Sequence, residues 1–554
     1  MKTELDRKFD ETLATLTGPG GRLIIEHDEL GRAFVGNFPA TLPQFFATFA
    51  ALNGQVEALV AGDERLTFAD LDHWSDRLAH ALVARGIRKG DRLGIAMRNC
   101  PAWVVGYMAA LKAGAVATLL NGWWEPHELA HALELTAPAL ILADPPRSRR
   151  IAAAGDWPAI SLAIDQPLAE ALAPLLDGGE AAGAELPDVA PDDDATILFT
   201  SGSTGEAKGA LSTHRAVTTG VYTYSTGLMV LKEILIGEGR PPASPRTLLS
   251  VPLFHVTGEV PVLLNSFVIG RGMVIMPKWD ATEALRLIEQ ERITYFVGVP
   301  TMSLELMNHP DRDKYDLTSL TDITGGGAPR PVAHVERLRQ SFPNSQPALG
   351  YGLTETNAVG CANIWGNYAA KPASTGRPQA PFVELAILGD GDHHLAAGER
   401  GEIGIRTAAN IKNYWRNPQA TADAFTADGY VRTGDVGYLD EDGYLFIVDR
   451  KKDIIIRGGE NISSAEVEAA LYACPDIAEA SVFGTPDERL GEVPIAVIHP
   501  RDGSGLDEAR LRAFLVGKLA GFKIPARMIF TDEPLPLLGT GKIDRVALKA
   551  KYAH

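Results

Sequence analysis

The chain has little cysteine: three in 554 residues, Cys100, Cys361 and Cys474, scattered far apart. No disulfide framework and no metal-ligand spacing can be assembled from them, and a reducing compartment fits. Basic charge is also short, with 52 Lys and Arg against 70 Asp and Glu and a formal net charge of −18. Such a surface repels a phosphate backbone, which argues against nucleic-acid binding and requires local basic groups for any anionic ligand. The start of the chain, MKTELDRKFDE, has no apolar signal core. The longest apolar run, Trp103 to Trp124, is interrupted by Gly106, Lys112, Gly114 and Asn121. It reads as a buried helix followed by a buried strand, with no transmembrane segment expected. These absences predict a cytoplasmic protein. What is present, 45% apolar and 22% charged residues, suits a globular enzyme, and the length calls for two to four domains or subdomains.

Residues 65–142 carry the clearest architectural signal. Thr67-Phe-Ala-Asp70 has the form of a capping box, and Leu71, Trp74, Leu78 and Leu82 follow at helical spacing. Gly86 stops that helix. Then come a strand at 92–97, a helix at about 101–112, a strand at about 115–120, a helix at about 127–135 and a strand at 139–143. Strands alternating with helices predict a parallel α/β sheet. Two stretches, 177–194 and 237–245, read as linkers or exposed loops. From Lys451 the texture changes to small α+β units. Ser463-Ser-Ala-Glu466 predicts a capped helix through Leu471, strands are expected at 480–483 and 494–498, and an amphipathic helix at 507–519.

Five short motifs carry chemistry. Residues 197–209 run from an apolar strand into Thr200, Ser201, Gly202, Ser203, Thr204 and Gly205, then Lys208. Glycines let backbone N–H groups converge on an anion, hydroxyls add donors, and the lysine adds charge. Ala207 and Gly209 around Lys208 exclude a Walker A loop. In Gly350-Tyr-Gly-Leu-Thr-Glu355, Tyr351 offers a ring to a base, Thr354 a hydroxyl to a phosphate, and Glu355 a carboxylate to Mg²⁺. Thr324-Gly-Gly-Gly-Ala-Pro329 is a side-chain-poor backbone that a flat ligand can approach. Asp435 can accept from a ribose diol, with Arg450 and two lysines close behind. Finally, Lys542 stands in a glycine-framed loop near the C-terminus, where an exposed, solvated side chain is the default expectation.

In order and spacing these motifs resemble the adenylate-forming superfamily of acyl-CoA synthetases, peptide-synthetase adenylation domains and luciferases, over about residues 40–548. The resemblance implies an α/β fold with a large N-terminal domain of layered subdomains (1–449) and a small mobile α+β C-terminal domain (450–554). It implies ATP, Mg²⁺ and coenzyme A as cofactors and a small carboxylic acid as substrate, with a homodimer as a further expectation. ATP or AMP would be held by Thr200 to Gly205, Lys208, Gly327, Ala328, Pro329, Tyr351, Gly352, Asp435, Ile447 and Arg450, and Mg²⁺ by Glu355. Lys542 would bridge the carboxylate and the α-phosphate to give an acyl-adenylate and pyrophosphate. Rotation about Lys452 would then withdraw it and bring in Gly458 and Gly459 beside the incoming thiol. His255 resembles a gate between acyl pocket and thiol tunnel, with Thr257, Gly258, Gly326 and Gly350 in the pocket wall. Among catalytic groups the resemblance thus implies Lys542, His255, Glu355 and Thr354.

The chain departs from the family at Ala207 and Ser464, where proline is common, at Asn413, where glycine is usual, and at Leu537-Leu538. None of these removes a chemical group. The apolar wall predicts a medium- to long-chain fatty acid. Aryl or hydroxycinnamate acids, or transfer to a carrier protein, are the alternatives. Val256-Thr257-Gly258 lacks the aspartate an amino acid would need, which disfavours a peptide-synthetase domain. A nucleotide-binding protein without ligase activity is the rival from another class, and the joint presence of Lys542, Glu355, Asp435 and Arg450 argues against it.

Overall fold

The computed structural model describes residues 2–176, 184–201, 207–327, 330–458, 460–538 and 542–553, apart from the side chains of Ser201 and Ala333. The helix Phe68–Ala84 opens on the predicted box. The Thr67 hydroxyl accepts from the Asp70 N–H at 3.1 Å, and the Asp70 carboxylate accepts from the Thr67 N–H at 2.8 Å. Leu71, Leu78 and Leu82 are fully buried on its inner face. Strand Arg92–Ala96, helix Pro101–Lys112, strand Val116–Leu119, helix Pro126–Thr136 and strand Leu140–Ala143 follow. All of Pro101–Lys112 is buried, and Lys112 is neutralised by Asp72 and Asp76, each 2.6 Å away. Among the described residues no helix is long and apolar enough to cross a membrane.

These elements build a seven-stranded sheet in which Val116–Leu119, Arg92–Ala96, Leu140–Ala143 and Ala159–Ser161 run parallel. Asp194–Ser201 joins them in parallel, and Ala207–Thr213 turns back antiparallel against it. A second, nine-stranded sheet has a parallel centre of Gly272–Ile275, Arg246–Leu249, Tyr295–Gly298, Asp322–Gly325 and Gln346–Gly352. Their carboxyl ends point the same way, and in open α/β sheets that edge is where ligands bind. A four-stranded antiparallel sheet, ordered Glu384–Leu388, Gly401–Arg406, Val431–Leu439 and Leu445–Arg450, leads the chain out of the large domain.

The helix Glu4–Thr17 is tied to that exit. Asp6 is buried; Tyr444 donates to both its carboxylate oxygens at 3.0 and 2.9 Å, Asn367 at 2.9 Å and Arg377 at 3.1 Å. Burial alone would raise this carboxyl, but the Thr3 N–H, Tyr444 and Arg377 outweigh it and hold Asp6 below its ordinary value.

The small domain has its own core, including Ile455, Ile462, Val467, Leu471, Val482, Ile498, Leu511 and Met528. Strands Ile477–Asp487 and Gly491–Pro500 form a hairpin, with Arg527–Phe530 parallel to the second and the short hairpin Ile455–Arg457 and Glu460–Ile462 at the edge. The last amphipathic helix spans only Glu508–Leu515, shorter than its apolar pattern predicts. Val516 leaves the helical conformation (φ −59°, ψ 128°), Gly517 turns the chain at φ +80°, and Leu519 is buried from the loop beyond. The predicted box at 463–466 is half formed. The Ser463 hydroxyl accepts from the Glu466 N–H at 3.1 Å, while the Glu466 carboxylate turns to Lys523 at 2.7 Å.

Candidate active site at the carboxyl ends of the parallel strands

Three neighbouring central strands of the nine-stranded sheet deliver residues to one cavity. Val251 and Pro252 follow Arg246–Leu249, Gly298 and Val299 end Tyr295–Gly298, and Gly326 and Gly327 follow Asp322–Gly325. His255, Thr257 and Lys542 complete the lining. Lys542 is therefore not the exposed loop lysine its glycine frame suggests, because the small domain folds it over the large one. A Cβ on Gly327, whose φ is +72°, would lie 3.2 and 3.3 Å from Lys542 Cε and Nζ. The bare backbone there makes room for the lysine. In this conformation the cavity holds about 20 Å³, the space of one water.

The electrostatics follow from this burial. Desolvation, with Arg450 adding to it and Asp435 opposing, pushes the Lys542 ammonium down to about 8. Burial and then the Lys542 charge push His255 down to about 3, leaving a neutral ring at physiological pH. Its Nδ1 accepts from the Thr257 N–H at 3.3 Å, which places the ring proton on Nε2.

A second group adjoins Lys542. Tyr351 donates to Asp435 at 2.7 Å, and Arg450 Nε lies 3.3 Å from the other carboxylate oxygen. The sheet register sets this up, since Asp435 and Arg450 are directly paired across adjacent strands. Burial raises Asp435 from its ordinary value, partly offset by Arg450 and Tyr351. Ile447 pairs with Gly437 on the same ladder. Gly352 admits no side chain, because a Cβ would fall 2.1 Å from the Ala358 carbonyl oxygen.

A third group centres on Tyr414, which sequence reasoning misses. It sits on the two-residue edge strand Asn413–Tyr414 against Ala207–Thr213. Its hydroxyl donates to Glu355 Oε1 at 2.5 Å and meets the Thr200 hydroxyl, while Lys208 Nζ lies 5.1 Å from its ring centre. Lys208 and Thr200 are register partners. Thr354 opens the short 3₁₀ turn Thr354–Thr356. One tyrosine thereby gathers a carboxylate, a hydroxyl and a cation. Gly202, Ser203, Thr204, Gly205, Ala328, Pro329 and Gly459 lie outside the described residues, as does the side chain of Ser201.

Other candidates stand apart from the cavity. Gly258 is closed off, since a Cβ there would strike the Pro252 carbonyl oxygen at 2.2 Å. Gly350 meets nothing within 4 Å, and its carbonyl oxygen is the nearest atom, at 3.9 Å, to a Cβ built on Gly326. Lys452 is exposed in the turn after Leu445–Arg450, and Gly458 takes φ +61° with its N–H on the Leu490 carbonyl at 2.7 Å. Gly298 and Val299 line the cavity unforeseen, although an apolar strand ending in glycine among parallel neighbours was the available signal.

Behind the wall, Glu259 is fully buried in the helical turn Gly258–Leu264. Tyr107 donates to its Oε1 at 2.7 Å, Oε2 has no hydrogen-bond partner among the described residues, and burial pushes the carboxyl up to about 7. Between the ordinary carboxylate value and about 7 the folded chain keeps a proton that the unfolded chain has lost. Stability attributable to this group therefore falls as pH rises through that window, by roughly 3 kcal/mol in all. Glu259→Gln is expected to remove that slope: from pH 5 to pH 8 the wild-type melting temperature should drop more than the variant's. Parallel melting curves across that range would show that Glu259 does not titrate inside the fold.

Comparison with known proteins fits this geometry. Residues 46–415 match the family described as AMP-binding enzyme, and residues 466–542 match the AMP-binding enzyme C-terminal domain. The chain is 35% identical over 504 residues to a feruloyl-CoA synthase of Amycolatopsis sp, covering 91% of this chain and 97% of that one. It is 33% identical over 537 residues to a long-chain-fatty-acid–CoA ligase of Bacillus subtilis (strain 168), covering 91% and 93%. The ATP-bound crystal structure of MatB from Rhodopseudomonas palustris superposes with a TM-score of 0.81 at 28% identity, covering 93% of this chain and 99% of that one. The two matched regions follow the order of the large and small domains, and the chain belongs to the AMP-binding enzyme family as an AMP-forming acyl-CoA ligase.

Proposed function

We propose that the enzyme activates a largely apolar acid, a medium- to long-chain fatty acid, as its adenylate and passes the acyl group to coenzyme A. The observation that carries the reading is the position of Lys542, enclosed by a glycine-lined apolar wall while Asp435 and Arg450 stand beside it. A carboxylate attacking the α-phosphate of ATP brings two anions together, so catalysis requires oriented cations and dipoles more than an acid or base. Lys542 supplies the cation between them, and its lowered value leaves it protonated at neutral pH. Tyr351 and Arg450 hold the Asp435 carboxylate to receive the ribose hydroxyls. Thr200 and Lys208 flank the loop that takes the β- and γ-phosphates. Glu355, oriented by Tyr414, has the hard oxygen donor Mg²⁺ prefers, and that ion when bound neutralises phosphate charge. Neutral His255, with its proton on Nε2, is a gate that swings without moving a charge. The boundary between the domains is set after Asp449, with the pivot at Lys452.

The substrate class rests on the wall. Val251, Pro252, Val299 and three glycines line it, and His255, Thr257 and Lys542 are its polar side chains. The test is pyrophosphate release with acetate, octanoate, palmitate, benzoate and ferulate. We expect kcat/KM to rise along the saturated series, each buried CH₂ contributing up to ~0.8 kcal/mol until the pocket ends. Gly326→Leu should cut the long-chain acids most, because its Cβ direction is open, whereas any side chain at Gly327 would dislodge Lys542. A preference for ferulate, in keeping with the feruloyl-CoA synthase relative, would replace the fatty-acid reading and leave the ligase chemistry in place.

A further inference from the structure

Asp449 and Ser464 lie on opposite sides of the turn at Lys452, yet they are bonded to each other. Asp449 is near the end of Leu445–Arg450 in the large domain, and Ser464 is the first residue of helix Ser464–Tyr472 in the small one. The Ser464 N–H donates to Asp449 Oδ2 at 2.5 Å, and its hydroxyl approaches the same carboxylate at 3.0 and 3.3 Å. The Ala465 N–H adds a contact at 3.4 Å, and the neighbouring Ser463 hydroxyl donates to the Val448 carbonyl at 2.6 Å. Both partners are shielded from solvent, with Asp449 4% and Ser464 0% exposed. A carboxylate on the first N–H groups of a helix also meets the positive end of the helix dipole.

The contact continues toward the cavity. From the same helix Glu468 grips Arg545 at 2.6 and 2.7 Å, and Arg545 opens helix Arg545–Tyr552 three residues after Lys542. Arg545 also pairs with Asp453 at 3.1 Å, just past the turn. The end of the large domain, the helix, Arg545 and the lysine loop are thus joined in one chain of charge-assisted contacts.

We propose that the Asp449–Ser464 contact is a latch that holds the small domain in the orientation placing Lys542 in the cavity, which makes Ser464 a positioning residue for adenylate formation. This rests on the two-step ligase reading with its pivot at Lys452: rotation there separates residues 448–449 from 463–465, so the latch must open between the half-reactions. Its strength then sets the balance between the two orientations.

Ser464→Pro is the direct test. Proline lacks the N–H and the hydroxyl but suits the first position of a helix, and Ser463 already has the extended backbone (φ −74°, ψ 121°) that precedes proline readily. The small domain should fold. Hydrogen bonds to a charged group are strong enough that losing them shifts a two-state balance about tenfold or more. We expect pyrophosphate release to slow by about that factor, with thioester formation from supplied acyl-adenylate unchanged or faster. Ser464→Ala, which keeps the N–H, should fall between. Dyes on cysteines introduced at the exposed positions Leu52 and Val516 report domain orientation independently, since the three native cysteines are buried. Ser464→Pro should populate a second interdye distance. Equal loss of both half-reactions with the wild-type distance distribution, or no change in either, overturns the latch. Absence of pyrophosphate release in the wild type would instead overturn the ligase reading, and the dye pair would still report on the latch.

Discussion

Lys542→Ala is expected to stop adenylate formation while leaving the second half-reaction nearly intact. Removing one group that stabilises developing charge in a water-poor site costs on the order of 10²–10³ in rate. The fold should tolerate the change, because the lysine is a desolvated cation beside Arg450, and its removal relieves like-charge repulsion and leaves its space against Gly327 empty. Thioester formation from supplied acyl-adenylate and coenzyme A should change little, since the proposed rotation about Lys452 withdraws the lysine before that step. A pH signature accompanies this role. With the ammonium pushed down to about 8, pyrophosphate release by the wild type should decline above that pH as the side chain loses its charge, while the residual activity of Lys542→Ala should not follow that decline. Equal losses in both half-reactions would remove the lysine from the first step alone.

Lys452→Pro is expected to separate the half-reactions in the opposite sense. In the turn after Leu445–Arg450, the Asp453 and Ile454 N–H groups both donate to the Arg450 carbonyl, at 2.9 and 3.1 Å, and the Lys451 N–H donates to Gly434 at 2.8 Å. Among the described residues no hydrogen bond uses the Lys452 N–H, so proline removes no donor the turn depends on. It does fix φ at one residue and restrict the residue before it, which is where a pivot must turn. Adenylate formation, which needs the orientation seen here, should persist, and transfer to coenzyme A should fall by roughly tenfold or more. Unchanged thioester turnover would move the pivot elsewhere in the 449–464 segment.

Much of the architecture is legible in the sequence because local rules and global fold agree. The box at Thr67 and Asp70, the buried leucines behind it and the alternating elements through residue 143 need no distant partner to be read. Motif order likewise points to the site: residues of three separate glycine-rich segments come off neighbouring strands of two sheets. Sequence reasoning fails where geometry is made by distant pieces. Lys542 reads as exposed because nothing near it in the chain announces that another domain will cover it. Tyr414 goes unnoticed because a two-residue edge strand has no periodicity, and its bond to Glu355 spans 59 residues. The 507–519 helix is overlong on paper because Leu519 continues the apolar stripe after the backbone has already left the helix at Val516. Ser464 is visible as a departure from the family, but its partner Asp449 is evident only once the strand and the helix are set side by side.

The tie between Asp6 and Tyr444 has a consequence for biosynthesis. The two residues are 438 positions apart, and each is almost wholly enclosed in the finished protein. A ribosome adding about 5–20 residues per second needs roughly 20–90 s between making the carboxylate and making the phenol that caps it. Throughout that interval helix Glu4–Thr17 can already pack on helix His214–Gly237, but its buried carboxylate lacks the phenol that completes its hydrogen bonds. The hydrogen-bond shell of Asp6 is therefore completed only as the strand that leads to the small domain emerges. A nascent chain arrested before Tyr444 would have both parallel sheets and the partner helix of its first helix, yet would leave Asp6 with only its Asn367 and Arg377 donors from the distant chain. The first helix thus receives its final hydrogen bonds from nearly the last residues the large domain contributes.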